Sequence, residues 1–212
     1  MEKNSMKKYI DNVWDSSAIP ALMEYIAIPA ISPGFAEDWE TKGYLMDSLK
    51  LAEHWCRSQA LENTEIRIVS EPGRTPVLLI EVEAFNSPAG ETALFYGHLD
   101  KQPEAEGWDQ NKGPWAPVIE NNRLYGRGSV DDGYAVFAAV IAIKTLQVNN
   151  IPHGRCVILI ETCEESGSLD LPYYLETCSK IVGKPDIVIC LDSGINDYER
   201  MWLTASLRGV IE

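Results

Sequence analysis

Positive charge is scarce in this chain. Lys and Arg number 18 against 32 Asp and Glu, a formal net charge of -14. No basic stripe is present to neutralise phosphates, which argues against nucleic acid as a partner. Some of the surplus acids are candidates to face cations instead. Histidine is rarer still, with three residues: His54, His98 and His153. The five cysteines, Cys56, Cys156, Cys163, Cys178 and Cys190, are odd in number and not closely paired. They read as reduced thiols rather than a disulfide framework, and the lack of any C-x-x-C argues against a zinc ribbon. No apolar run approaches membrane-spanning length. The polar first eight residues lack the apolar stretch of a signal peptide. The expectation is a cytoplasmic protein with no membrane partner.

What the chain does have is an ordinary globular composition. It has 212 residues, 45% hydrophobic and 24% charged, enough for one large domain or two small ones. Helical spacing runs through residues 6–27, with Asp15, Ser16 and Ser17 marking a place where two helices meet. A long helix is expected over 36–60 and others over 132–146 and 171–181. Strands are expected at 66–69, 77–82, 92–96, 155–160 and 186–191, with a small hairpin over 118–125 and one more strand beginning at 200–207. Strands alternating with helices predict an α/β fold. Its central sheet would be mostly parallel and flanked by helices on both faces, a three-layer sandwich. Such sheets bind ligands beyond the carboxyl ends of their strands.

The chemistry-bearing residues fall at those ends. The run Thr92-Ala93-Leu94-Phe95-Tyr96 leads into Gly97-His98-Leu99-Asp100. An imidazole followed by a carboxylate at the end of a buried strand suits a metal site, with the carboxylate fixing the ring's tautomer. The strand at 155–160 delivers Glu161-Thr162-Cys163-Glu164-Glu165, and the one at 186–191 delivers Asp192-Ser193-Gly194. Asp131 sits at a loop-to-helix junction, and Asp132 beside it reads as a helix N-cap. Each motif alone is weak: Glu164-Glu165 is ordinarily a solvated turn and Asp192-Ser193-Gly194 a cap. One imidazole with several carboxylates favours zinc or another borderline divalent cation. In extended chain, Glu164 and Glu165 would point opposite ways, so one can ligate while the other acts as general base. His153 precedes the strand that carries Glu164 at its far end, which puts it roughly 20 Å away. His54 lies on a helix with no supporting motif.

The order G-H-x-D, L-Y-G-R-G-x-x-D-D, E-E-S-G-S, D-S-G resembles the M20 family of zinc metallopeptidases, in particular the branch of cytosolic dipeptidases and carnosinase-like enzymes. The resemblance implies two Zn2+ (or Mn2+ or Co2+) per complete active site, with His98 and Asp192 on one ion, Asp131 bridging, and Glu165 on the other. It implies that Asp100 orients His98, that Glu164 activates a metal-bridging water, and that the Asp131–Asp132 peptide is cis. The implied reaction is hydrolysis of peptide amide bonds, in dipeptides or at a C-terminus. N-acyl-amino-acid deacylation or desuccinylation is the near alternative, and a catalytically silent metal-binding fragment the distant one. The family pattern commonly reads D-D-K-G, where this chain has Asp131-Asp132-Gly133-Tyr134. The resemblance further implies that residues 1–212 are the N-terminal portion of a catalytic domain. A lid or dimerisation domain, and a returning segment with a second histidine ligand, would belong to a full-length homodimeric enzyme.

Overall fold

The computed structural model describes residues 2–88, 90–192, 197 and 199–204. Helix α1 (Glu2–Val13) does not end at the serines. It runs through a π-helical turn, Trp14–Ala18, straight into α2 (Ile19–Ala27). The expected break fails because the serine hydroxyls there find partners without one. Ser16 donates back to the Asn12 carbonyl at 2.6 Å, and the Ser17 hydroxyl accepts from the Trp55 indole at 2.9 Å. A wide turn absorbs them without a cap. The long helix expected over 36–60 is instead two, α3 (Trp39–Lys42) and α4 (Tyr44–Ser58), divided at Gly43 with φ 70°.

A five-stranded sheet follows: β1 (Thr64–Val69), β2 (Val77–Val82), β3 (Thr92–His98), β6 (Arg155–Glu161) and β7 (Ile187–Cys190), in the order β1-β2-β6-β3-β7. The hairpin β4 (Val118–Glu120) and β5 (Arg123–Tyr125) forms a separate ribbon. β2 is antiparallel to both of its neighbours, while β6 and β7 run parallel to β3. Four strands therefore share one direction and β2 alone is reversed, so the sheet is mixed. Helix α5 (Tyr134–Val148) packs on one face with α2 and α4. Side chains from alternate strand positions, Leu78, Ile80, Ile158 and Ile160, meet Phe137, Val140 and Trp55 there. The other face, Val77, Leu79, Val157 and Leu159, is covered by α6 (Leu171–Thr177) and α7 (Ser179–Val182) through Tyr174, Cys178 and Val182. Alternation along each strand thus feeds two cores and gives the three layers.

Residues 200–204 form no strand. Met201 and Leu203 are 84% and 77% exposed, with nothing among the described residues packed on them. The remainder of that expected strand, 205–207, lies outside the described residues, as do Ser193 and Gly194. The segment 171–181, expected as one helix, is divided at Cys178.

Candidate metal centre

β3 and β6 end together, with His98 directly opposite Glu161. Gly97 is needed just before that point. A Cβ there would stand 2.6 Å from Asp132 Oδ2 and 3.1 Å from the Ala135 side chain. The strand end therefore lies flush against the start of α5. The His98 ring is fully buried, and its Nδ1 lies 3.0 Å from the backbone carbonyl of Asp100. Donation to that carbonyl leaves Nε2 as the ring's free lone pair. Nε2 has no hydrogen-bond partner among the described residues. It faces carboxylates instead: Asp131 Oδ1 at 3.2 Å, Asp192 Oδ2 at 3.6 Å and Glu164 Oε2 at 3.8 Å.

Two sets of ligand atoms cluster about this nitrogen. His98, Asp131 and Glu165 form one, and His98, Glu164 and Asp192 the other, with the atoms of each set within 4.8 Å of one another. The fold thus brings His98, Asp100, Asp131, Glu164, Glu165 and Asp192 to one place. The Asp131–Asp132 peptide is cis. His153 is not there. It bonds Gln147 at the opening end of β6, and His54 is exposed on α4.

The electrostatics describe a cation-seeking pocket. Burial alone would lower the His98 pKa, but the carboxylates of Asp100 and Asp131 beside the ring and the charge of Asp132 outweigh it and raise it to about 12. Asp131 is held below the usual carboxylate range by the His98 ring beside it. Burial pushes Glu164 and Glu165 upward, with neighbouring carboxylates adding to the shift. An orphaned, buried imidazole nitrogen ringed by oxygen donors fits a borderline divalent cation.

Three side chains have roles that differ from the sequence reading or escaped it. Asp132 does not cap α5, whose N-cap is Gly133 with no side-chain cap bond. Its Oδ2 instead accepts the His98 backbone N–H at 3.3 Å, and burial raises its pKa to about 8. Asp100 was expected to orient the imidazole with its carboxylate. That carboxylate is 3.4 Å from Nδ1, farther than its own carbonyl. Its two oxygens accept the backbone N–H groups of Glu164 and Glu165 at 3.1 and 3.0 Å, so the acid of H-x-D also pins the turn bearing the two glutamates. Glu161 is the third. It accepts from the Tyr96 hydroxyl at 2.5 Å and from Ser168 Oγ at 2.8 Å, closing the loop that carries Glu164 and Glu165. Its position opposite His98 in the ladder is the only sequence signal, and it needs the strand register to be known.

Gly133, where the family pattern commonly has lysine, has a spatial reason. A Cβ there would lie 2.2 Å from Tyr25 Cε1. The Tyr25 ring fills that space, and the Lys101 ammonium lies 3.9 Å from its centre.

Comparison with known proteins bears on this site directly. A family model described as peptidase family M20/M25/M40 matches residues 94–200. An uncharacterised metallohydrolase of Methanocaldococcus jannaschii is 27% identical over 209 residues, 91% of this chain and 50% of that protein. A succinyl-diaminopimelate desuccinylase of Buchnera aphidicola is 39% identical over 129 residues, 56% of this chain and 34% of the relative. Among solved structures, human carnosine dipeptidase 1 superposes with a TM-score of 0.70 at 24% identity, over 88% of this chain and 40% of that one. An M20 family metallo-carboxypeptidase of Sulfolobus solfataricus gives a TM-score of 0.68 at 27% identity, over 85% and 38%. The chain spans half or less of the length of these proteins. The family match runs from within the strand that delivers His98 to beyond Asp192 and takes in half of the residues, and on that ground the chain belongs to peptidase family M20/M25/M40.

Proposed function

We propose that this chain carries the metal centre of a metal-dependent amide hydrolase acting on small peptides, at a dipeptide or C-terminal bond. The observation that carries the reading is the unpartnered Nε2 of a fully buried histidine facing three carboxylates. In this reading His98 and Asp192 would hold one divalent cation, Glu165 would hold a second, and Asp131 would serve both. Zinc fits the donor set best, with manganese or cobalt as substitutes. Such cations supply polarisation of the scissile carbonyl and a lowered pKa for the attacking water.

The chain's own residues do the proton work. Glu164 is half-buried, with a pKa raised by desolvation and by its acidic neighbours, which moves a carboxylate toward the range where a general base works near neutrality. It takes the proton of the attacking water and passes it to the leaving amine nitrogen. Asp100 holds the backbone of Glu164 in place by accepting its N–H hydrogen bond, so the base is presented by a fixed turn. The peptide reading is supported by the family and by the metallo-carboxypeptidase neighbour. A second reading, deacylation of an N-acyl amino acid, is supported by the desuccinylase relative and would use the same residues on a different acyl group. The reading extends, by family resemblance, to a cytoplasmic location and a homodimeric enzyme. Among the described residues no helix is long and apolar enough to cross a membrane.

The test is Glu164→Gln in the full-length enzyme loaded with zinc, assayed on dipeptides and on N-succinyl amino acids. Turnover should fall by about 10²–10⁴-fold while bound zinc per chain is unchanged. Turnover retained near wild type removes Glu164 from its role. The substrate series decides between the peptide and acyl readings.

A further inference from the structure

Beyond His98 and Asp100, the strand end continues to face the site for one more residue pair. His98, Asp100 and Gln102 turn to the metal centre, while Leu99 and Lys101 turn away from it. Leu99 is buried in the main core. Lys101 is fully buried, and its ammonium donates to three carbonyls at the end of α2: Tyr25 at 2.8 Å, Ile28 at 2.7 Å and Ile26 at 3.3 Å. The Lys101 backbone is tied on both sides as well, donating to the Ala30 carbonyl and accepting from the Ser32 N–H, each at 2.9 Å. Two residues further on, the Pro103 carbonyl accepts from Arg127 Nε at 3.1 Å. Gln102 therefore hangs between two anchored residues. From there its side-chain amide donates to Glu165 Oε2 at 2.6 Å.

We propose that Gln102 is a positioning residue for Glu165: with Asp100 it fixes the one glutamate at both backbone and carboxylate, so that the remaining carboxylate oxygen is presented to a cation in a set orientation. The inference rests on the metal-centre reading above and goes beyond it by assigning this residue. The physical reason is that an acceptor-only carboxylate with one oxygen engaged by an N–H donor loses rotational freedom without losing its second oxygen as a ligand. Glu164 has no such donor on its side chain among the described hydrogen bonds. The two ligand sets are therefore unequal, the one containing Glu165 being held in advance and the one containing Glu164 and Asp192 being looser. The pattern H-x-D-x-Q is the sequence form of this arrangement. The period of two in extended chain puts the three side chains on one side and the anchor lysine on the other.

The experiment is a Co2+ titration of the 212-residue chain, read by calorimetry and by the visible absorption of bound cobalt. Wild type should bind in two unequal steps. Gln102→Ala should weaken the tighter step by about 10–100-fold, change its absorption spectrum, and leave the weaker step within twofold. Gln102→Glu, which keeps the shape but replaces the donor with a second acceptor, should weaken the same step at least as much. In a Glu165→Gln background, Gln102→Ala should have no further effect, a dependence that a general packing role would not show. Both steps unchanged in Gln102→Ala, or an equal further loss in the Glu165→Gln background, overturns the assignment while leaving the metal centre standing. No cobalt bound by wild type overturns the metal centre and this inference together.

Discussion

β6 and β7 both run parallel to β3, and both end in acids that reach His98, yet they are built differently. β6 is flanked by strands on both sides, and every residue from Cys156 to Glu161 is buried. The turn after it is tied from several directions: Asp100 to two backbone amides, Glu161 to Ser168 and Tyr96, and Ser166 to Ser32 and the Gly34 N–H. β7 is an edge strand among the described residues, with Ile187 and Val188 56% and 58% exposed. Past its end, the Leu191 carbonyl accepts one hydrogen bond from Tyr134 at 2.6 Å. The candidate ligands from β3 and from the β6 turn are thus set by the packed interior, while Asp192 follows a strand with one free side among the described residues. A centre proposed on these residues would have one half more firmly held than the other.

Substitutions can break this contrast in a graded way. The largest effect on stability is expected from Asp100→Ala. It strips the acceptors from two backbone N–H groups beside a fully buried position, which costs about 3 kcal/mol, read as a lower midpoint in urea unfolding. A loss under about 1 kcal/mol would mean the turn is held by its other ties. A smaller, pH-dependent effect is expected at Lys101, whose pKa burial lowers from 10.5 to about 7. Between those two values the unfolded chain keeps a proton that the folded chain has released. The stability of wild type relative to Lys101→Met should therefore rise with pH above 7, by about 2 kcal/mol at most between pH 7 and 8.5. A flat difference over that range would show that the three carbonyls keep the ammonium charged throughout. The smallest effect is expected from Ile187→Ala on the exposed face of β7, under about 0.5 kcal/mol. A loss of 2 kcal/mol or more in the same unfolding assay would show that the β7 edge is covered in solution, and would close the gap between the two halves.

Much of this was legible in the sequence because the informative residues sit where strands stop. The hydrophobic runs before His98, Glu164 and Asp192 mark strand ends, and parallel strands collect their ends on one side. What stayed hidden depends on contacts between distant segments. The polar pair Ser16 and Ser17 reads as a helix break until Asn12 and Trp55 are known to satisfy it. Gly43 breaks a helix whose apolar spacing runs on through it. Asp132 looks like a cap because its partner, the His98 amide, lies 34 residues away in the chain. The reversal of β2 leaves no trace in composition, since hydrophobic alternation marks a strand and not its direction. Gln102 was in plain view two residues past Asp100, but its meaning required Glu165 to be placed beside it.

The central claim is that His98 anchors a divalent cation centre with Asp131, Glu165 and Asp192, and zinc titration of wild type against His98→Ala tests it most directly. Two zinc ions per chain in wild type, with loss of at least the ion assigned to His98 and Asp192 in His98→Ala and a circular dichroism spectrum unchanged between the two, is the result expected. Zinc bound equally by both chains, or by neither, would contradict it.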